Sequence, residues 1–87
     1  MTSPFKCWRP YHEEIKDATL IEAADASKAA EQYASKFLEE DVYSMEVVVL
    51  DSDGRVHVET VTVSYQPNFS SSPSGLYQSI AEFEEDL

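Results

Sequence analysis

Ser44 to Tyr65 reads S-M-E-V-V-V-L-D-S-D-G-R-V-H-V-E-T-V-T-V-S-Y, and this stretch decides the fold. Two β-branched runs flank Asp51-Ser52-Asp53-Gly54, the composition of two antiparallel strands joined by a tight turn. Val47, Val48, Val49, Leu50, Val56, Val58, Val61 and Val63 form the densest aliphatic set in the chain, so any core must be built on this hairpin. Its second strand, expected over Arg55 to Tyr65, changes parity. Val56 and Val58 share one face of an alternating strand, and Val61, Val63 and Tyr65 share the other. A strand with one buried face must then reset its phase, which predicts a β-bulge at Glu59-Thr60. The alternative is that both faces are covered, the second by the C-terminal segment or by a partner subunit.

Upstream of the hairpin, Phe5 to Arg9 reads as a short strand stopped by Pro10, which has no amide proton. Tyr11 to Asp17 reads as a polar loop. Ala18 to Ala24 reads as a second strand, with Thr19, Ile21 and Ala23 pointing one way and Leu20 and Glu22 the other. Asp25 is a helix N-cap candidate, its carboxylate able to accept from free amides two or three residues on. From Ala26 to about Glu39, Ala26, Ala29, Ala30, Tyr33, Ala34, Phe37 and Leu38 form one apolar helical stripe. Met45 to Leu50 is the first long strand.

Downstream, Gln66-Pro67-Asn68 closes the last strand, and the serine-rich Phe69 to Gly75 reads as a linker. Leu76, Ile80, Phe83 and Leu87 are spaced as a narrow helical stripe that must dock on something to be stable. The expected organisation is therefore one α+β domain over residues 1–68, a linker over 69–75 and a short amphipathic helix over 76–87. The fold expected is an antiparallel sheet in ββαββ order, one face covered by the helix from Asp25.

Eighty-seven residues hold one core, and 43% hydrophobic content is too high for a disordered chain. The net charge is −11, from 17 acids against 6 bases. Such a field repels nucleic acid and anionic membranes and attracts basic surfaces, so direct nucleic-acid or membrane binding is not expected. A single cysteine, Cys7, permits no internal disulfide. Residues 1–6 lack the layout of a signal peptide, and the longest apolar run, Val47 to Leu50, cannot span a bilayer. These features lead to the expectation of a cytoplasmic protein.

His12, Glu13, Glu14 and Asp17, with His57 or Cys7 brought near in space, are metal-capable but match no ligand spacing. A solvated polar loop accounts for them better, and a small metal-binding protein stands as a third reading. Asp51-x-Asp53-Gly54 lacks the remaining ligands of a calcium loop. Its aspartates suit a turn, with Gly54 supplying a positive φ. With two glycines and no nucleophile elbow or phosphate-cradling loop, the chain carries no catalytic signature. Neither enzyme activity nor a cofactor is expected. The acids cluster at Glu13-Glu14-Asp17, Glu39-Glu40-Asp41 and Glu82-Glu84-Glu85-Asp86, the candidate partner-binding surface. A solvated face accounts for each cluster alone, whereas their sum suits a strongly basic partner.

The segments I-E-A-A-D-A-S-K-A-A-E-Q-Y (Ile21 to Tyr33) and V-V-V-L-D-S-D-G-R-V-H-V (Val47 to Val58) make the chain similar to small acidic proteins of phages and mobile elements. Anti-CRISPR proteins and DNA-mimic inhibitors belong to that group. The resemblance covers about half the chain and carries no functional residue over. It implies a non-catalytic inhibitor that blocks the nucleic-acid groove or the assembly of a basic host protein. The competing expectation is a homodimeric assembly module, using the double-sided strand and the stripe of Leu76, Ile80, Phe83 and Leu87.

Overall fold

A computed structural model describes residues 2–10, 14–36, 44–63 and 69–86. The elements are β1 (Ser3–Trp8), a 3-10 turn (Ile15–Asp17), β2 (Thr19–Ala23), α1 (Ala26–Ser35), β3 (Ser44–Leu50), β4 (Val56–Val63), β5 (Phe69–Tyr77) and α2 (Ile80–Glu85). The fold is α+β. All five strands form one antiparallel sheet in the order β2-β1-β3-β4-β5, which places β3 at its centre.

The hairpin is as the sequence predicts. Asp51 Oδ1 accepts from the amides of Asp53 and Arg55, both at 2.9 Å, and Gly54 takes φ 86°, a left-handed value that other residues resist. Strand alternation then sorts the valines. Val47 and Val49 face α1, while Val48 faces the opposite side with Val56 and Val58; all three β3 valines are fully buried. On the first face lie Phe5, Cys7, Ile21, Ala23 and Val61, together with Ala29, Ala30, Tyr33 and Ala34 of α1. The small alanine side chains bring the helix axis close to the sheet and leave Tyr33 to fill the space between. Asp25 caps α1 as expected, its Oδ1 accepting from the amide of Lys28 at 2.8 Å. The expected extension of α1 through Phe37 and Leu38 lies outside the described residues, as does Glu39-Glu40-Asp41.

The second face is covered by α2, and this corrects three expectations. First, β4 has no bulge at Glu59-Thr60. Its pairing with β3 runs unbroken from Thr62 opposite Ser44 to Val56 opposite Leu50. The phase change in the sequence reflects two buried faces instead. Val56 and Val58 point to the α2 side, and Val61 points to the α1 side. The register does shift on the other edge of β4, where Val58 faces Gly75 and Glu59 faces Pro73. Ser74 is the extra residue, on β5, and its hydroxyl donates to the Val58 carbonyl at 3.0 Å.

Second, residues 69–75 are not a linker but most of β5, so the sheet has a fifth strand beyond the ββαββ order. Serine is a poor strand former by composition. Here Ser71 and Ser74 gain hydrogen-bond partners across the fold, and an edge position tolerates Pro73. Third, the helical stripe from Leu76 does not form. Leu76 belongs to β5 and is 54% exposed, while α2 starts at Ile80 and buries Phe83; Leu87 is outside the described residues. The pattern Ser79-Ile80-Ala81-Glu82 marks this start. Ser79 Oγ accepts from the Glu82 amide at 3.2 Å, and Glu82 Oε2 reaches back to the Gln78 amide at 2.8 Å. Phe83 then packs edge-on to Trp8 and Tyr77, with ring centroids 6.3 and 5.3 Å apart. Among the described residues, no helix is long and apolar enough to cross a membrane.

This arrangement separates two positions that a helical stripe would make equivalent. Phe83→Ala should cost about 3 kcal/mol, whereas Leu76→Ala should stay within about 0.5 kcal/mol. Urea unfolding of both variants checks this, and equal losses would contradict the observed seating of α2.

Candidate functional site

Three polar or concave features stand out from an otherwise apolar interior. The first lies between α1 and the sheet. Because β4 alternates strictly, Glu59 shares a face with Val61, and its side chain is buried, with 2% of the residue exposed. Ser27, in the first turn of α1, donates its hydroxyl to Glu59 Oε1. Glu59 Oε2 is buried and has no hydrogen-bond partner among the described residues. The network continues through Ser71 of β5, whose hydroxyl lies 2.8 Å from Glu31 Oε2 and 3.3 Å from the Ser27 carbonyl. Glu31 in turn lies 3.9 Å from Lys28 Nζ. This network ties β5 to α1 and explains how a serine-rich edge strand is held. It also leaves one carboxylate oxygen unpaired in the core, a state that costs rather than stabilises.

The second feature is the turn. His57 Nε2 lies 2.8 Å from Asp51 Oδ2, and both side chains are largely shielded. Partial burial pushes the Asp51 carboxyl up. The hydrogen bonds from His57, Arg55 and Asp53 outweigh it, so the group titrates below the ordinary aspartate range.

The third is a cleft of about 230 Å³ on the α2 side of the sheet. Val48, Val58 and Gly75 form its floor, Tyr77 and Phe83 line it from β5 and α2, and Glu46 and Asp86 bring carboxylates to it. Gly75 keeps the floor open, since a Cβ there would touch Val58 Cβ and Tyr77 Cε2, both at 3.6 Å. Tyr77 Oη donates to Asp86 Oδ2 at 2.6 Å, which orients that carboxylate and holds the phenol above its usual pKa.

These positions settle how the residues singled out from sequence relate to one another. Cys7 lies opposite Val49 on β3, and Val49 lies opposite His57 on β4. Two strand spacings, about 9–10 Å, therefore separate the Cys7 and His57 backbones, and the fully buried Val49 lies between them on the same face. Burial pushes the Cys7 thiol up to about 12, against a smaller opposing pull from Lys36, so the thiolate needed for metal binding is disfavoured. Glu14 pairs with Lys16 at 3.2 Å on the surface, and Asp17 is exposed beside it; His12 and Glu13 lie outside the described residues. Among the described residues no group of three or more His, Cys, Asp or Glu side chains could hold a metal ion.

Of the acidic clusters, Glu82, Glu84, Glu85 and Asp86 are brought together on and just after α2, all exposed. Glu46, Gly75 and Tyr77 of the cleft have no motif in the sequence, because they meet only when β3, β5 and α2 are assembled. Glu59 did carry a signal: it has the parity of Val61 and Val63. No family model, no curated protein and no solved structure matches this chain.

Two outcomes follow from this geometry. Glu59→Met, which removes the unpaired oxygen and keeps the length, should raise stability by about 1 kcal/mol in urea unfolding; a loss would show that the Ser27 bond outweighs the burial. Asp51→Asn keeps an oxygen for the turn amides and removes the charge. A depressed folded-state pKa stabilises above the unfolded value, about 3.9, and that contribution disappears as pH falls through the folded value. The wild type should therefore exceed this variant in urea midpoint at about pH 5, with the gap narrowing as pH falls below the unfolded value. A gap of unchanged size at the acid end would refute the assignment.

Proposed function

We propose that this chain is a non-catalytic binding protein whose acidic surface occupies a basic, nucleic-acid-binding surface of another protein and so inhibits it. The observation that carries the reading is the meeting of charge and shape on the α2 side. Glu46 and Asp86 lie at a cleft of mixed polar and apolar lining, and Glu82, Glu84 and Glu85 are exposed along the neighbouring helix. A net charge of −11 extends the attraction beyond that face and speeds encounter with a cationic partner at low salt. A phage-encoded inhibitor of a host defence protein is the form of this proposal that the sequence resemblance implies.

The second reading, a homodimer, draws less support from β4, because Val56 and Val58 pack on the α2 side and Val61 on the α1 side within one chain.

The test is capture of proteins from the native cell on immobilised chain, followed by competition. The captured protein should elute with rising salt and should lose its nucleic acid when the free chain is added. The double variant Glu84→Lys with Glu85→Lys alters exposed positions and should weaken capture strongly at low salt. Undiminished capture by that variant, or a partner that keeps its nucleic acid, would refute the proposal.

A further inference from the structure

The cleft under α2 differs in kind from the open acidic surface around it, and its dimensions narrow what it can hold. About 230 Å³ is below the roughly 300–1,000 Å³ of pockets that enclose cofactors or drug-sized molecules. Its floor of Val48 and Val58 is aliphatic, its sides include the Tyr77 and Phe83 rings, and its charged groups are the carboxylates Glu46 and Asp86. An occupant suited to this mixed lining is small, slender along its stem and cationic at its tip.

Lysine and arginine side chains both have that form. A guanidinium fits the cleft better than an ammonium. It is planar, less strongly hydrated, stacks on aromatic faces and engages a carboxylate through two parallel N–H bonds. The Tyr77 hydroxyl donates to Asp86 Oδ2 and fixes the direction of the carboxylate, whose two oxygens together offer about four lone-pair sites for further donors. The edge-on packing of Tyr77 and Phe83 holds the two rings in place around the site.

We infer that this cleft is the receptacle for a single arginine side chain of a basic partner protein, the central anchor of the interface. The inference rests on the binding role proposed above and adds to it the contact expected to dominate affinity, since buried arginines are frequent hot spots in protein interfaces. The open carboxylates on α2 would then steer the encounter, while the cleft would set how long the complex lasts.

The probe is N-acetyl-arginine methylamide, titrated into 15N-labelled protein, with the citrulline and norleucine analogues as uncharged controls of similar length. Saturable shifts should concentrate at the amides of Val58, Gly75 and Tyr77 with the arginine compound alone. Glu46→Gln, at an exposed position, should weaken that binding about two- to five-fold. Gly75→Val should abolish it by filling the floor. Shifts scattered over the exposed carboxylates, equal binding of the citrulline analogue, or full binding by both variants would overturn the inference. The outcomes separate it from the broader reading. A captured partner that binds Gly75→Val as tightly as wild type leaves acidic recognition standing and removes the cleft from it. A cleft that takes the arginine probe in a chain that captures no basic protein does the reverse.

Discussion

The structure depends on the burial of β3 on both faces. Val47, Val48 and Val49 are consecutive, so alternation sends the outer two to one side and the middle one to the other, and none is exposed. A single helix on a sheet can cover only one of these sides. The fold therefore needs two covers: α1 with its close alanine contact, and the shorter α2 with Phe83 lodged between Trp8 and Tyr77. Every other placement follows from that requirement. The strand β5 brings the chain to the far edge of the sheet, from which α2 folds back over Val48 and Val56.

The two covers are built differently. The α1 interface is tight, with four side chains of the helix at most 1% exposed, and the buried Glu59 carboxyl group is drawn into a serine network that also secures β5. Six residues of α2 cannot cover as much area. A cleft remains beside Phe83, floored by Gly75, where the strand offers no side chain, and flanked by carboxylates. Concavity arises where the smaller cover ends, and the surplus of acids in the sequence gives that concavity its sign.

Much of this was legible in the chain. The hairpin turn, the Asp25 cap, the α1 stripe and the inward set of Thr19, Ile21 and Ala23 follow from local patterns whose physics is local. Three consecutive valines also signalled burial on two faces, and the parity of Val56, Val58 and Val61 repeated the message. Reading that parity as a bulge assumed one cover. Burial of Glu59 follows from its parity once that assumption is dropped. The β5 strand was hidden because Phe69 to Gly75 has the composition of a linker, and its partners lie far away in sequence: Glu31, Ser27 and Val58. Leu76 fitted a helical spacing by coincidence, whereas the capping pattern at Ser79–Glu82 marked the true start of α2.

By itself, then, the sequence determined the α+β class, the central hairpin, the helix from Asp25 and a net charge of −11, because each depends on periodicity, capping or a sum of charges. Only the tertiary structure decided that a serine-rich segment is a strand, that α2 closes the second face and that Glu46, Tyr77 and Asp86 share one cleft. Those outcomes depend on contacts between residues as far apart in sequence as Ser27 and Ser71 or Trp8 and Phe83, whose energies are set by what else is packed beside them.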